Sequence, residues 1–409
     1  MQLFNARFFD CLLCTYYCQA YLYYQTAPAI SPSPLIRRHL PSHTDQGLAM
    51  NSSLQAPTDK LESVQMLRAI AALAVVFFHI PLFRNGDWGV DIFFVISGFI
   101  MAMVTAKSGS HFFIKRIIRV VPLYWLGTLG VFAVALLLPS LLDNTTADGV
   151  GLLKSLFFIP YQKGEYVQPL LYLGWTLNYE MFFYALFATS MAISHRYRLL
   201  ICSALLLALV VAGHLVALDA LVAQFYTQQI LAEFVLGMGC YAFYARTATW
   251  RADGTTNGAR TVLILIGLAA LVYMPFAVDL THWLGRGLAW GIPAAVVFLT
   301  LVHGLSGLNL PGWVVLIGDA SYSLYLFHPY VLKVFNKVFH VFDEPGALAY
   351  LMTPVSIALC CIVAIGIYRL VELPMTHWLR VMLIDRRKLP SQPPVLPMGT
   401  VGHKSGVEG

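Results

Sequence analysis

Arg68 and His79 lie eleven residues apart in LRAIAALAVVFFHI, residues 67–80, with almost nothing polar between them. A helix of 3.6 residues per turn returns that spacing to nearly the same face, about 16 Å along the axis. That is roughly half the hydrocarbon thickness of a bilayer. One group can then sit at the membrane surface while the other sits deep inside. Ionisable side chains at such depth are costly and mark candidate functional positions. A lone histidine that only bonds a neighbouring helix is the plainer alternative, but Arg68 on the same face sets His79 apart.

Further polar residues punctuate the apolar runs that follow. Asp91 in WGVDIFFVISGFIM, residues 88–101, falls at the outer end of its run, near where His79 should sit. It could orient the imidazole or act in proton transfer, or simply cap a helix. In HFFIKRIIRVVPLYW, residues 111–125, Arg116 and Arg119 are three apart and share a face. With Lys115 they make a basic patch suited to phosphates, or a positive membrane anchor. Glu180 in GWTLNYEMFFYALF, residues 174–187, is a carboxyl among aromatics that must take up a proton or find a cation. Glu233 is similar but less flanked by polar groups. Ser321, Tyr325 and His328 in GDASYSLYLFHPY, residues 318–330, fall near one helical face. Such a stripe lines a cavity or binds another helix. No helix shows metal-ligand spacing, so no metal is expected.

These residues need apolar helices to hold them. The 409-residue chain is 58% hydrophobic and 11% charged, with mean hydropathy +0.70. A soluble domain carries about 25% charged residues, so the composition predicts an all-α, polytopic membrane helical bundle. Ten spans are expected, at about 66–83, 88–106, 118–138, 173–193, 198–218, 226–245, 261–278, 286–303, 313–335 and 347–369. Gly89 and Gly98 permit close helix approach. A net charge of +6 is no nucleic-acid signature here, because the basic residues cluster at the ends of apolar runs. With the start inside, Lys107, Lys115, Arg116, Arg119, Arg196, Arg198, Arg246, Arg251, Arg260 and the tail basics Arg380, Arg386, Arg387 and Lys388 fall in inner loops. The outer loops hold Arg84, Lys154, Lys163, Arg286, Lys333 and Lys337. That bias puts both termini in the cytoplasm.

Three regions are expected: an extension over 1–65, a transmembrane domain over 66–375, and a disordered cytoplasmic tail over 376–409. Residues 1–49 fit poorly. Their apolar run is short and interrupted by Asp10, and no basic n-region precedes it. The reading favoured is a start extended upstream of an initiator at Met50, with an interfacial anchor as the alternative. Of seven cysteines, Cys202, Cys240, Cys360 and Cys361 read as small core residues. Cys11, Cys14 and Cys18 lack paired histidines, and zinc is not expected there.

In this order, the segments resemble the acyltransferase family 3 membrane proteins, in the branch that decorates bacterial exopolysaccharides. The resemblance rests on Arg68 and His79, GVDIFFVISGF, KRIIRVVPLYW, WTLNYEMFFY, SYSLYLFHP, and VELP at Glu372. It covers about residues 66–375. It implies a multi-pass enzyme of the bacterial inner membrane that takes an acyl group, often acetyl from acetyl-coenzyme A in the cytoplasm. The acceptor is an outside or lipid-linked glycan hydroxyl, and polysaccharide biosynthesis machinery is a conceivable partner. It implies functional roles for Arg68 and His79, with Arg116 and Arg119 on the donor side, where Lys115 completes the basic patch expected to bind the cofactor. His79 would act as general base or as an acyl-histidine relay, with Asp91, Glu180 or His328 tuning it. A proton-coupled transporter or flippase is the alternative class, and it would favour inverted repeats, of which none is evident. A structural partner in polymer export is a third.

Overall fold

A computed structural model describes residues 61–83, 86–139, 147–164, 166–248, 256–343 and 346–384. All belong to the unit Lys60–Gly409. The expectations for residues 1–49, Met50, the three early cysteines, Arg84, Arg251 and the tail beyond 384 lie outside the described residues. The start of the region expected to be a disordered tail, from 376, is instead helical through Leu383, because the apolar and basic pattern LPMTHWLRVML continues the last span.

The helices are α1 (Glu62–Phe78), α2 (Gly89–Val104), α3 (Phe112–Leu137), α4 (Gly149–Leu156), α5 (Trp175–Ile193), α6 (Arg198–Leu215), α7 (Leu221–Phe225) and α8 (Leu231–Arg246). They continue with α9 (Asn257–Tyr273), α10 (Leu280–Leu284), α11 (Ile292–Gly304), α12 (Gly312–Asp319), α13 (Ser321–Phe339), α14 (Ala347–Ile367) and α15 (Leu373–Leu383). Among the described residues the only strands are β1 (Gln162–Lys163) and β2 (Tyr166–Val167), paired antiparallel in a short hairpin. The fold is all-α, as the composition predicts. Backbone groups satisfied within each helix are what an apolar solvent demands.

Each of the ten expected segments contains a helix. The ninth is divided at Ala320 into α12 and α13. Five segments are long and apolar enough to cross a membrane: Phe112–Leu137, Arg198–Leu215, Asn257–Ala277, Gly287–Gly304 and Ala347–Leu383. The others fall short for physical reasons. α2 is apolar apart from Asp91 and Ser97 but only 16 residues long, and α13 carries the polar stripe read from its sequence.

α2 lies at the centre, against α1, α8 and α11. Glycine makes the closest of these contacts possible. A Cβ at Gly98 would meet the Phe234 carbonyl oxygen at 2.2 Å, and one at Gly237 would meet that of Val95 at 2.1 Å. The two backbones therefore touch through facing glycines. Gly89 does the same against α1, where a Cβ would lie 2.4 Å from the Ala71 carbonyl oxygen. Phe94, Phe183 and Phe234 fill the space between α2, α5 and α8, with Phe183 and Phe234 stacked at 4.2 Å between centroids.

Two irregularities bear on chemistry. Pro329 in α13 has no N–H to close onto the Tyr325 carbonyl. A π-helical turn, Tyr368–Glu372, joins α14 to α15 and turns Glu372 inward, where it is fully buried. Single π turns of this kind recur at functional positions.

Candidate active site

α1 carries Arg68 in its second turn and ends at Phe78, so that His79 occupies the C-cap. Its ring is fixed by three partners. Nδ1 lies 2.7 Å from the Val75 carbonyl oxygen and 3.2 Å from Nε2 of His328. Nε2 lies 2.8 Å from the Tyr172 hydroxyl. Nδ1 of His328 lies 2.9 Å from the Leu324 carbonyl oxygen.

Carbonyls only accept, so both Nδ1 atoms carry hydrogens. The Nδ1–H of His79 is then shared between Val75 and the lone pair of His328, and Nε2 of His79 is the basic nitrogen, its one lone pair accepting from Tyr172. The assignment follows from the partners rather than from observed hydrogens. The rings of His79 and His328 meet edge to face at 4.9 Å.

α13 reaches this pair from the Arg68 end. Arg68 Nε donates to Ser321 Oγ at 3.1 Å, so Ser321 and His328 mark the two ends of one polar stripe. Between them lies a cavity of about 120 Å³ whose lining includes Arg68, Arg116, Arg119, Glu180, Ser321 and Tyr325. Its arginine end is strongly cationic. Arg116 Nε is buried there without a partner. Glu180 lies within electrostatic reach of Arg68 and Arg116 and accepts hydrogen bonds from Tyr184 and from Ser97 at 3.4 Å. The cavity stops short of the histidines. Thr176 and Tyr325, hydrogen-bonded at 2.9 Å, line its far end. Phe93 packs on Tyr325 at 5.8 Å. Tyr172 and His328 lie about one turn beyond.

The residues singled out from sequence separate into three places. Arg68, Arg116, Arg119 and Glu180 meet at the cavity, while His79 and His328 meet beyond it. Asp91 is not brought to His79. It is fully buried and held bidentately by Arg286, at 3.1 Å from Nε and 2.6 Å from Nη2. Arg286 also lies over the Trp290 ring at 4.8 Å, and Glu233 is buried beside the pair. The geometry of Asp91 therefore corrects the expectation that it orients the imidazole, because its carboxylate is committed to another helix. Lys115 donates to the Ser110 carbonyl at 3.1 Å and does not line the cavity. Arg119 lines the cavity but pairs with Glu372 at 2.5 Å, and Glu372 also accepts from Ser323 at 2.6 Å.

Tyr172, Glu372 and Ser323 were not singled out for these contacts. Glu372 had a signal, since a carboxylate at the end of a long apolar run falls under the same rule as Glu180. Tyr172 had none, being one aromatic among many. Cys202, Cys240 and Cys360 are buried and unpaired, as small core residues should be. Among the described residues no group of three or more His, Cys, Asp or Glu side chains could hold a metal ion.

Comparison with known proteins gives this arrangement a context. A family model described as an acyltransferase domain matches residues 61–369. The exopolysaccharide production protein ExoZ of Rhizobium meliloti is 39% identical over 264 residues, covering 62% of this chain and 79% of that protein. The O-acetyltransferase OatA of Staphylococcus aureus is 26% identical over 357 residues, covering 77% of this chain. The match covers 57% of OatA's length. No solved structure matches.

Proposed function

This chain belongs to the acyltransferase family, and from that premise we propose that it moves an acetyl group from acetyl-coenzyme A in the cytoplasm to a glycan hydroxyl outside. The acceptor is an exopolysaccharide or its lipid-linked precursor. The membrane is the bacterial inner membrane, with both termini in the cytoplasm and the catalytic domain spanning about residues 66–375. The names of ExoZ and OatA support a polysaccharide acceptor and an acetyl donor.

The observation that carries the reading is the two-ended cavity. One end offers Arg68, Arg116 and Arg119, with Arg116 Nε unpartnered. Guanidinium forks match phosphate oxygens bidentately, so this end suits the nucleotide of coenzyme A. The other end stops one turn from a histidine whose Nε2 is unprotonated and bonded only by the Tyr172 hydroxyl. The pantetheine arm runs along the cavity, and the Tyr325–Thr176 pair parts to admit the thioester.

The glycan hydroxyl displaces Tyr172 from His79 Nε2, which takes the hydroxyl proton as the glycan oxygen attacks the thioester carbonyl. The new C–O bond forms, the C–S bond breaks, and the proton passes to the leaving thiolate. His328 positions the base. Its Nε2 lone pair faces the Nδ1–H of His79, where positive charge grows as the imidazole becomes imidazolium. Glu180 balances the cationic end.

The test is purified full-length protein in lipid with radiolabelled acetyl-coenzyme A and exopolysaccharide. Label should move to the polysaccharide with release of one thiol per acetyl. Thiol release without labelled polysaccharide, or no thioester cleavage at all, overturns the reading.

A further inference from the structure

A second opening lies at the His79 end of the bundle, outside the donor cavity. The turn Tyr172–Gly174 leads into α5, and its neighbours face three ways. Tyr172 meets His79, Thr176 lines the donor cavity, and Trp175 lines an open groove of about 630 Å³. Across the groove stand Gln228, Gln229, His282, Trp283 and Arg286. Arg286 ties this wall to the same end, because it also donates to the Asp87 carbonyl at 3.3 Å in the loop that follows α1. That loop packs back on α1 beside His79: a Cβ at Gly86 would lie 3.2 Å from the Cβ of Phe78.

The lining sorts the possible occupants. An acyl chain would leave the amides and imidazole without partners, at a cost for each. An anion would find little net charge, because Arg286 is already paired with Asp91 and lies near Asp87. A sugar ring presents apolar C–H faces and hydroxyl edges together. Aromatic rings offer the first a flat apolar surface, and amides offer the second both donors and acceptors. Trp283 is 86% exposed, with its ring free to cover such a face. The groove also continues. His214, Gln228 and Gln229 line a neighbouring opening of about 390 Å³ as well, so the surface is longer than one sugar.

We propose that this groove, from Trp175 and Trp283 past Gln229 to His214, binds several consecutive sugar residues of the acceptor and feeds one hydroxyl to His79. The proposal rests on the glycan-acylating reading above and adds the place and the length of the acceptor site.

Two surface substitutions test it, Trp283→Ala and Gln229→Ala, with Trp283→Tyr as the conservative control. The probes are short and long oligosaccharides released from the exopolysaccharide of the cell that carries the gene. Binding to full-length protein in lipid nanodiscs is measured by calorimetry without donor, and transfer is measured separately with acetyl-coenzyme A. Long oligosaccharides should bind more tightly than short ones. Both alanine variants should weaken the long ones about tenfold, and Trp283→Tyr should recover most of that. The KM for acetyl-coenzyme A should not change.

Unchanged saccharide affinity in both alanine variants overturns the groove, even if wild-type protein transfers acetyl normally. So does equal affinity for short and long probes, or no binding by the wild type. Binding through the groove with no acetyl transfer would instead overturn the enzymatic reading and leave the groove standing.

Discussion

His79 donates from one nitrogen to Val75 and His328 and accepts at the other from Tyr172, and that asymmetry makes its variants informative. His79→Gln keeps hydrogen-bonding capacity but cannot carry the proton. We expect transfer to fall by about 10²–10⁴-fold, the usual worth of general base catalysis, while donor binding stays near normal. Near-normal turnover in His79→Gln would falsify the general-base role. His328→Ala removes the acceptor facing Nδ1–H of His79 and should lower transfer less, with its pH profile displaced; a loss of folded protein with an unchanged profile would make His328 structural only. At the other end of the cavity, Arg116→Ala should raise the KM for the donor, and Arg116→Lys should restore it only in part, because an ammonium lacks the planar fork. Identical donor affinity in wild type and Arg116→Ala would move the phosphate site elsewhere. These residues were legible because each is a polar group in an apolar run. Their partners were not. Arg119 meets Glu372 across 253 positions and Arg286 meets Asp91 across 195. Which carboxylate meets which arginine is decided by helix packing, and no local pattern carries it.

At the scale of elements, two contacts hold the cavity in shape. The first is the glycine-to-glycine crossing of α2 and α8. Gly237→Val would drive a side chain into the Val95 carbonyl. Overpacking of this kind costs about 1–3 kcal/mol, and backbone cannot yield as a flexible side chain does. The yield of folded protein and its thermal midpoint in detergent should both drop, and an unchanged midpoint would mean that the helices do not cross there. The facing glycines were half legible: Gly98 stood out in its own segment, whereas Gly237 gained meaning only once α8 lay against α2. The second contact is the Tyr325–Thr176 hydrogen bond, which separates cavity from histidines. Thr176→Val keeps the shape and removes the hydroxyl. If the pair restrains passage, thioester hydrolysis without acceptor should rise several-fold; a rate equal to wild type would show that the bond seals nothing. The π turn at Tyr368–Glu372 had no readable signal, since its residues continue an ordinary helical run.

For the whole molecule, the proposed orientation has a direct check. Tyr166 is 67% exposed in the hairpin after α4, and Arg380 lies in α15. A membrane-impermeant maleimide should label Tyr166→Cys in intact cells and Arg380→Cys only after permeabilisation, with the reverse pattern inverting the topology. The orientation matters because the cavity ends one turn from the histidine pair. With water at both ends, most of the membrane voltage would drop across that single turn rather than across some 30 Å of hydrocarbon. What crosses the turn in each catalytic cycle then has an electrical cost. The acyl group leaves its thioester as the formal equivalent of an acylium, one positive charge moving outward. If the hydroxyl proton travels back through the same turn to the thiolate, the cycle is electroneutral. If His79 instead releases it outside while the thiolate is protonated from the cytoplasm, each turnover exports one positive charge. Against an inside-negative potential that charge costs about 2.3 kcal/mol per 100 mV. The Tyr325–Thr176 turn therefore decides whether a cell's energised membrane is indifferent to this reaction or acts as a brake on it.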